Sequence, residues 1–65
     1  MNYDAELHNV TSAPVIGERL WGVIFADSKG RFRDGDSIYI STIYAIQGDI
    51  ITTANTTYKL VDSKI

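Results

Sequence analysis

The chain has no cysteine, and His8 is the only histidine among its 65 residues. Disulfides are therefore excluded, and so are zinc sites built from cysteine and histidine. A domain of this length buries only about 60% of the surface that its unfolded chain exposes. Because neither disulfides nor zinc can add to this limited stability, we expect the protein to associate with itself as a homo-oligomer.

Long apolar runs and a strong net charge are also missing. No apolar run approaches the roughly 18 residues that span a membrane, so no membrane association is expected. The net charge of −2 does not attract a phosphate backbone over long range. The first ten residues, MNYDAELHNV, hold two acidic and no basic residues, unlike a signal peptide. From these features we expect a cytoplasmic location.

Helical periodicity is absent as well, and the chain is dominated by strand-forming residues. Residues 11–18 hold the only proline and predict a surface connection, in which Val15 and Ile16 are candidates for burial. A short strand at residues 6–10 is favoured over a helical turn, and a short β-bridge is a candidate at 31–33. The four clearest strands are residues 19–26, 37–47, 49–53 and 56–61.

Short turns between these strands favour antiparallel neighbours. The predicted fold is all-β, a small antiparallel meander of four to five strands that curls into an SH3-like barrel or a compact sandwich. We expect one domain over residues 1–65, with an N-terminal arm and loop at 1–18 and a β core at 19–61. The likeness to SH3-like barrels concerns size and strand rhythm, and it implies no activity.

Alternation assigns side chains to the faces of two predicted strands. In residues 19–26, Leu20, Gly22 and Ile24 share one face and Trp21 lies on the other, with Val23 and Phe25. Both faces are apolar, which predicts a central strand or one covered on both sides. Gly22 indicates a bend or a close approach by another backbone. Near the N-terminus, Ala5 and Leu7 are expected to face inwards.

The strand at 37–47 allows two registers. A regular strand places Ile38, Ile40 and Tyr44 on one face, with Ile43 and Ala45 on the other. Alternatively, a β-bulge at residues 41–42 reverses the alternation and turns Ile43 and Ala45 inwards. The sequence leaves both registers open.

The segment KGRFRDGD, residues 29–36, is the clearest candidate for a nucleic-acid site. In a strand, Lys29, Arg31 and Arg33 would share one face, and cations beside an aromatic residue such as Phe32 are typical of single-stranded nucleic-acid binding. The aspartates at 27, 34 and 36 cancel this charge. The alternative, a solvated hairpin arm with Phe32 buried, is favoured, so nucleic-acid binding stays the second choice.

No pattern predicts catalysis or metal binding. Residues 27–36 lack the ligand spacing and terminal glutamate of a calcium loop. No serine lies in a G-x-S-x-G elbow, and no cysteine is present to act as a nucleophile. We therefore expect no enzyme activity, no catalytic residues, no metal and no cofactor.

The seven aromatic residues exceed what so small a core needs. Tyrosine is favoured in protein interfaces because it covers much area at little entropic cost. The alternative is that each tyrosine lies flat at the rim of the core. The predicted partner-binding residues are Tyr39, Tyr44, Phe32, Arg31 and Arg33.

The C-terminal half resembles small, uncharacterised proteins of phages and other mobile elements. The likeness lies in a glycine-aromatic-x-aspartate-glycine start, an Ile-x-x-Ser/Thr strand, a G-D-I turn and a closing N-T-x-Y-x-L hairpin. The matching positions are Gly30, Phe32, Asp34, Gly35, Ile40, Gly48, Asp49, Ile50, Asn55, Thr56, Tyr58 and Leu60. This resemblance implies a mobile-element origin, and small acidic phage proteins often act by occupying host proteins.

Three functional hypotheses follow. The first is a non-enzymatic protein that docks on a host protein, with inhibition of a host defence system as one such role. The second is a small nucleic-acid-binding barrel. The third is an oligomer that sequesters a small anionic ligand between its subunits.

Overall fold

The computed structural model describes residues 3–61, which form six strands and no helix. The predicted all-β class is confirmed. The strands are β1 (Ala5–His8), β2 (Trp21–Phe25), β3 (Asp36–Tyr39), β4 (Ile43–Gln47), β5 (Ile50–Thr53) and β6 (Thr57–Val61).

All six strands belong to one sheet in the order β3-β2-β1-β6-β5-β4. Four of the neighbouring pairs are antiparallel, whereas β1 and β6 are parallel, so the sheet is mixed and is not a simple meander. The strand favoured at residues 6–10 is present as β1 (Ala5–His8), and it lies within the sheet rather than in an arm outside the β core. The meander was predicted because short turns indicate only which consecutive strands pair with each other. They contain no information about the pairing of β1 with β6, which lie at opposite ends of the chain.

The sheet is strongly curled because β3 and β4, its two outer strands, follow each other in the chain. Four residue steps join Tyr39 to Ile43 and span at most about 14 Å. In a flat sheet the outer strands would lie five spacings of about 4.8 Å, roughly 24 Å, apart. No strand pairing joins β3 to β4, so the curled sheet stays open and does not close into a barrel.

The segment before β2 bridges the two outer strands. The Ile40 amide donates to the Leu20 carbonyl at 3.0 Å, and the Ile43 amide donates to the Glu18 carbonyl at 2.9 Å. The Gly17 amide in turn donates to the Ile43 carbonyl at 2.9 Å. Residues 17–20 therefore run between the end of β3 and the start of β4.

The concave face of the sheet holds the core. Leu20, Gly22 and Ile24 are buried on this face, as predicted, and so are Ala5 and Leu7. Gly22 marks a close approach, but the neighbour is a side chain: a Cβ atom at this position would lie 2.6 Å from Cγ of Leu7. The remaining core residues are Ile38, Ile40, Ile43, Ile51 and Tyr58.

Residues 37–47 are neither of the two predicted continuous strands. The chain leaves the sheet after Tyr39 and returns at Ile43, so Ile40 and Ile43 are both buried. A register shift between Ile43 and Ala45 then reverses the alternation again, which exposes Ala45 and turns Ile46 towards the core. The predicted reversal is thus correct for Ile43 and wrong for Ala45, because two breaks occur where one was expected.

Three local predictions are also corrected. Val15 and Ile16 are exposed, because they sit at a turn in which the Glu18 amide donates to the Val15 carbonyl. Residues 31–33 form no β-bridge. Phe32 is exposed rather than buried, since residues 31–33 form no strand that would turn it inwards.

Ala26 adopts a left-handed backbone conformation, with a φ of 55°. This conformation costs an L-residue roughly 1–2 kcal/mol, and glycine avoids that cost while losing about 0.5–1 kcal/mol through its more flexible unfolded chain. We expect Ala26→Gly to raise the free energy of unfolding by about 0.5 kcal/mol. Urea titration measures this change. The control Ala54→Gly, at an exposed position without positive φ, should lower the stability slightly. If Ala26→Gly also lowered the stability, the proposed backbone strain at Ala26 would be contradicted.

Candidate functional site

Two large aromatic side chains stack on the convex face of the sheet. Trp21 and Tyr39 lie opposite each other in the pairing of β2 with β3. Their ring centroids are 4.7 Å apart, with planes inclined by 12°. Trp21 is 53% exposed and Tyr39 is 45% exposed. The first alternative predicted for this strand is confirmed, because β2 lies inside the sheet between β3 and β1. The second, a strand covered on both faces, is wrong, because Leu20, Gly22 and Ile24 face the core while Trp21 lies on the exposed convex face.

Arg19 holds this stack in place. Its Cζ lies 4.0 Å from the centroid of the Tyr39 ring. Its Nε donates to the Ile40 carbonyl at 2.9 Å, and its Nη2 donates to the Tyr39 carbonyl at 3.2 Å. The guanidinium is thus fixed by backbone carbonyls, and no carboxylate of residues 3–61 lies within 4.0 Å of it. A cation–π contact of this kind contributes about 0.5–1 kcal/mol at an exposed site.

A small pocket opens beside Trp21 on the same face. Its volume is about 140 Å³. A cavity of about 150 Å³ accommodates benzene, so this pocket matches one apolar or aromatic side chain. Its lining consists of Asn9, Thr11, Trp21, Gly22, Val23 and Ser37. We call the Arg19–Trp21–Tyr39 stack together with this pocket the aromatic surface.

A wider open depression of about 640 Å³ lies over β1 and β6. It is lined by Glu6, Pro14, Gly48, Asp49, Lys59, Leu60 and Val61. None of these residues is aromatic, and charges of both signs face it, so it offers fewer anchoring groups than the aromatic surface.

The cationic loop is organised around Asp27, whose side chain is only 1% exposed. Its Oδ2 accepts hydrogen bonds from the amides of Arg31 at 2.9 Å and Phe32 at 3.2 Å. Its Oδ1 accepts one from the Lys29 amide at 3.1 Å. The Arg31 side chain also reaches this carboxylate, with Nε 3.4 Å from Oδ2. The loop is therefore wrapped around one buried carboxylate.

These contacts decide the charge state of Asp27. Burial is the largest single influence, and it raises the pKa of Asp27. The opposing influences together outweigh it: hydrogen bonds from the Arg31 side chain and from the amides of Arg31 and Lys29, and the positive charge of Arg31, all lower the pKa. The net result is a pKa below the ordinary value of 3.8. The carboxylate is accordingly ionised at neutral pH.

Two of the three cations in the loop face the rest of the protein. Arg31 Nη1 donates to Thr56 Oγ1 at 2.9 Å, and Lys29 Nζ donates to the Asn55 carbonyl. Arg33 is exposed, and its amide donates to Asp36 Oδ2 at 3.1 Å. Lys29 and Arg31 thus hold the loop against the turn between β5 and β6, and the three cations do not form one strand face.

The predicted partner-binding residues do not come together in one site. Phe32, Arg31 and Arg33 lie in the loop before β3, whereas Tyr39 lies at the far end of that strand. Tyr44, 66% exposed, lies on the outer strand β4.

Sequence reasoning missed Arg19 and Trp21 as site residues. Along residues 19–24, Arg19, Trp21 and Val23 share one face, while the opposite face already supplies Leu20, Gly22 and Ile24 to the core. A core as small as this one needs a single apolar face from each strand. Because one face of this strand already fills the core, the size of the core is the signal that could have placed Trp21 on the outer surface.

Within residues 3–61, no group of three or more histidine, cysteine, aspartate or glutamate side chains is placed to hold a metal ion. The described part of the chain has no helix long and apolar enough to cross a membrane. Comparison with family models, with curated proteins and with solved structures yields no match to this chain.

Proposed function

We propose that this protein is a non-enzymatic binding protein whose aromatic surface docks on another protein. The observation that carries the proposal is the stack of Trp21 on Tyr39, half exposed and held by Arg19. Aromatic side chains that are already fixed lose little conformational freedom on binding, so more of their contact energy appears as affinity. Trp, Tyr and Arg are also the residue types most enriched among interface hot spots.

The surface also indicates the chemistry of the partner. The pocket beside Trp21 fits one apolar side chain. Arg19 has N–H groups beyond the two that bind carbonyls, and no carboxylate of residues 3–61 is paired with it. The partner segment should therefore present an apolar side chain next to an acidic one.

A host protein is the partner that a mobile-element origin, expected from the sequence, would favour, with a component of a host defence system as one candidate. Nucleic-acid binding has weaker support, because Lys29 and Arg31 are engaged with Asn55, Asp27 and Thr56. Sequestration of a small anionic ligand would require a subunit interface that supplies cations beyond these.

The test is capture of host proteins on immobilised protein, followed by binding measurements with the purified protein that is retained. We expect Trp21→Ala and Tyr39→Ala each to weaken this binding by about 100-fold, equivalent to about 2.7 kcal/mol. Arg19→Glu should abolish it by placing a carboxylate against the acidic residue of the partner. Thermal melts of each variant verify that the fold is kept.

Phe32→Ala is the matched control, since it removes another exposed aromatic residue away from the aromatic surface. It should bind like the unmodified protein. Equal binding by Trp21→Ala and Phe32→Ala would contradict the proposal. Loss of a nucleic-acid gel shift in Arg33→Ala and Phe32→Ala, with no retained protein, would favour the second hypothesis instead.

A further inference from the structure

We propose that two copies of this chain form a symmetric dimer by pairing the free edges of their β4 strands in antiparallel orientation. This surface lies on the outermost strand β4 and is separate from the aromatic surface on β2 and β3. The dimer therefore does not rest on the proposed docking function.

The first observation is the absence of charge along this edge. Residues 37–48 contain no charged side chain. In natural proteins, lysine, proline or inward-pointing charges usually protect outer strands, because their unpaired amides and carbonyls can form hydrogen bonds with a strand of another chain. β4 has no lysine, proline or charge, and its one protective feature is the bulge between Ile43 and Ala45 at the start of the free edge. It carries Tyr44, the most exposed of the large apolar side chains in residues 3–61.

The second observation is that only part of the edge is already occupied. The amide and the carbonyl of Ile43 are both bound to residues 17–18. From Tyr44 to Gln47, no hydrogen bond within residues 3–61 reaches the side of the strand away from β5. Since amides and carbonyls alternate between the two sides of a strand, about two of these four residues present theirs to a second copy.

The occupant is a second copy because the edge is self-complementary. A two-fold axis through an antiparallel pair places the central residues of one strand against the same residues of its partner, so charged residues there would repel their own copies. Ala45 and Ile46, at the centre, are small or apolar and uncharged. Glu18 and Asp49 flank the free edge and stay outside its four residues.

The area required defines the rest of the interface. A stable dimer buries about 800 Å² on each partner, roughly one fifth of the 4297 Å² that this chain exposes. A four-residue edge alone is too small. Val15 and Ile16, both exposed at the turn held to Ile43, and Tyr44 supply the apolar surface around it.

Analytical ultracentrifugation over a concentration series tests the dimer. We expect Ala45→Lys to weaken dimerisation by at least about 100-fold, because it places two ammonium groups beside the axis. Tyr44→Ala should weaken it by about 10-fold or more. The matched control Ala54→Lys adds the same charge at an exposed turn between β5 and β6 and should leave the dimer unchanged.

Hydrogen exchange of the unmodified protein provides a test without any variant. The amides of residues 44–47 that point away from β5 should become more protected as the concentration rises through the dissociation constant. A monomer at all concentrations up to about 1 mM would overturn the proposal. So would a dimer that survives in Ala45→Lys and dissociates in Trp21→Ala, because its interface would then be the aromatic surface.

Discussion

Replacing Gly22 by alanine is expected to destabilise the protein by about 2–3 kcal/mol. In an ordinary strand this change would stabilise, since glycine costs roughly 0.5–1 kcal/mol relative to alanine. Here the added Cβ would lie 2.6 Å from Cγ and 2.7 Å from Cδ1 of Leu7. Leu7 is fully buried in the central strand β1, so neither its side chain nor its backbone has room to retreat.

Thermal unfolding measures this effect. A loss of 1 kcal/mol lowers the melting temperature of a domain of this size by about 4–8 °C, so we expect a decrease of more than about 8 °C. The double variant Leu7→Ala, Gly22→Ala should lose less stability than the two single variants together, because the smaller side chain at position 7 makes room for the new methyl group. Additive losses would show that the close approach of these two residues is not the cause.

Asp27→Asn is expected to cost about 2–3 kcal/mol, because the carboxylate accepts three backbone amides and the Arg31 side chain. An asparagine supplies one carbonyl oxygen, and its amide nitrogen would face donors. Arg31 is about one third exposed, which limits the ionic part of this loss. Urea unfolding gives the free energy. Asp49→Asn, an exposed aspartate with the same change of charge, should change it by less than about 0.5 kcal/mol.

The pH dependence of stability follows from the lowered pKa of Asp27. Its folded-state pKa lies below its unfolded-state value, so its contribution is complete above about pH 4 and is lost as the pH falls through the folded-state pKa. The unmodified protein should therefore lose stability more steeply below pH 4 than Asp27→Asn. Parallel acid titrations of the two proteins would contradict a stabilising role of this carboxylate.

Local patterns in the sequence predicted much of the fold. Alternation assigned Leu20, Gly22 and Ile24 to the core, and it also turned Ala5 and Leu7 inwards. The glycine-aspartate turn at 48–49 correctly placed the hairpin between β4 and β5. These features depend only on neighbours in the chain, where side-chain periodicity and turn chemistry act.

Long-range pairing could not be predicted in the same way. Nothing in residues 5–8 specifies that they pair in parallel with β6, because that choice depends on how all six strands share one core. The break after Tyr39 has the same origin: Ile40 and Ile43 both face inwards only because residues 17–20 provide bridging hydrogen bonds between the outer strands. A single sequence contains no local signal for these contacts.

The candidate site divides along similar lines. Tyr39 and Tyr44 were predicted to bind a partner and both are exposed, although the two registers left the face of Tyr44 open. The stack with Trp21 depends on the register of β2 against β3, which alternation within one strand does not reveal. The three cations of the loop were assigned to one face on the assumption that residues 29–33 form a strand. In the structure, the backbone amides of this segment bind the Asp27 carboxylate, so the segment forms a turn.

The parallel pairing of β1 with β6 has a consequence for how the molecule is made. Residues 5–8 find one of their two neighbours more than fifty positions later in the chain, so the fold has a high contact order and should form slowly for its size. On the ribosome, the first strand emerges long before the last one. A nascent chain therefore keeps one edge of its innermost strand open until β6 has been synthesised, and the complete sheet forms only after that point.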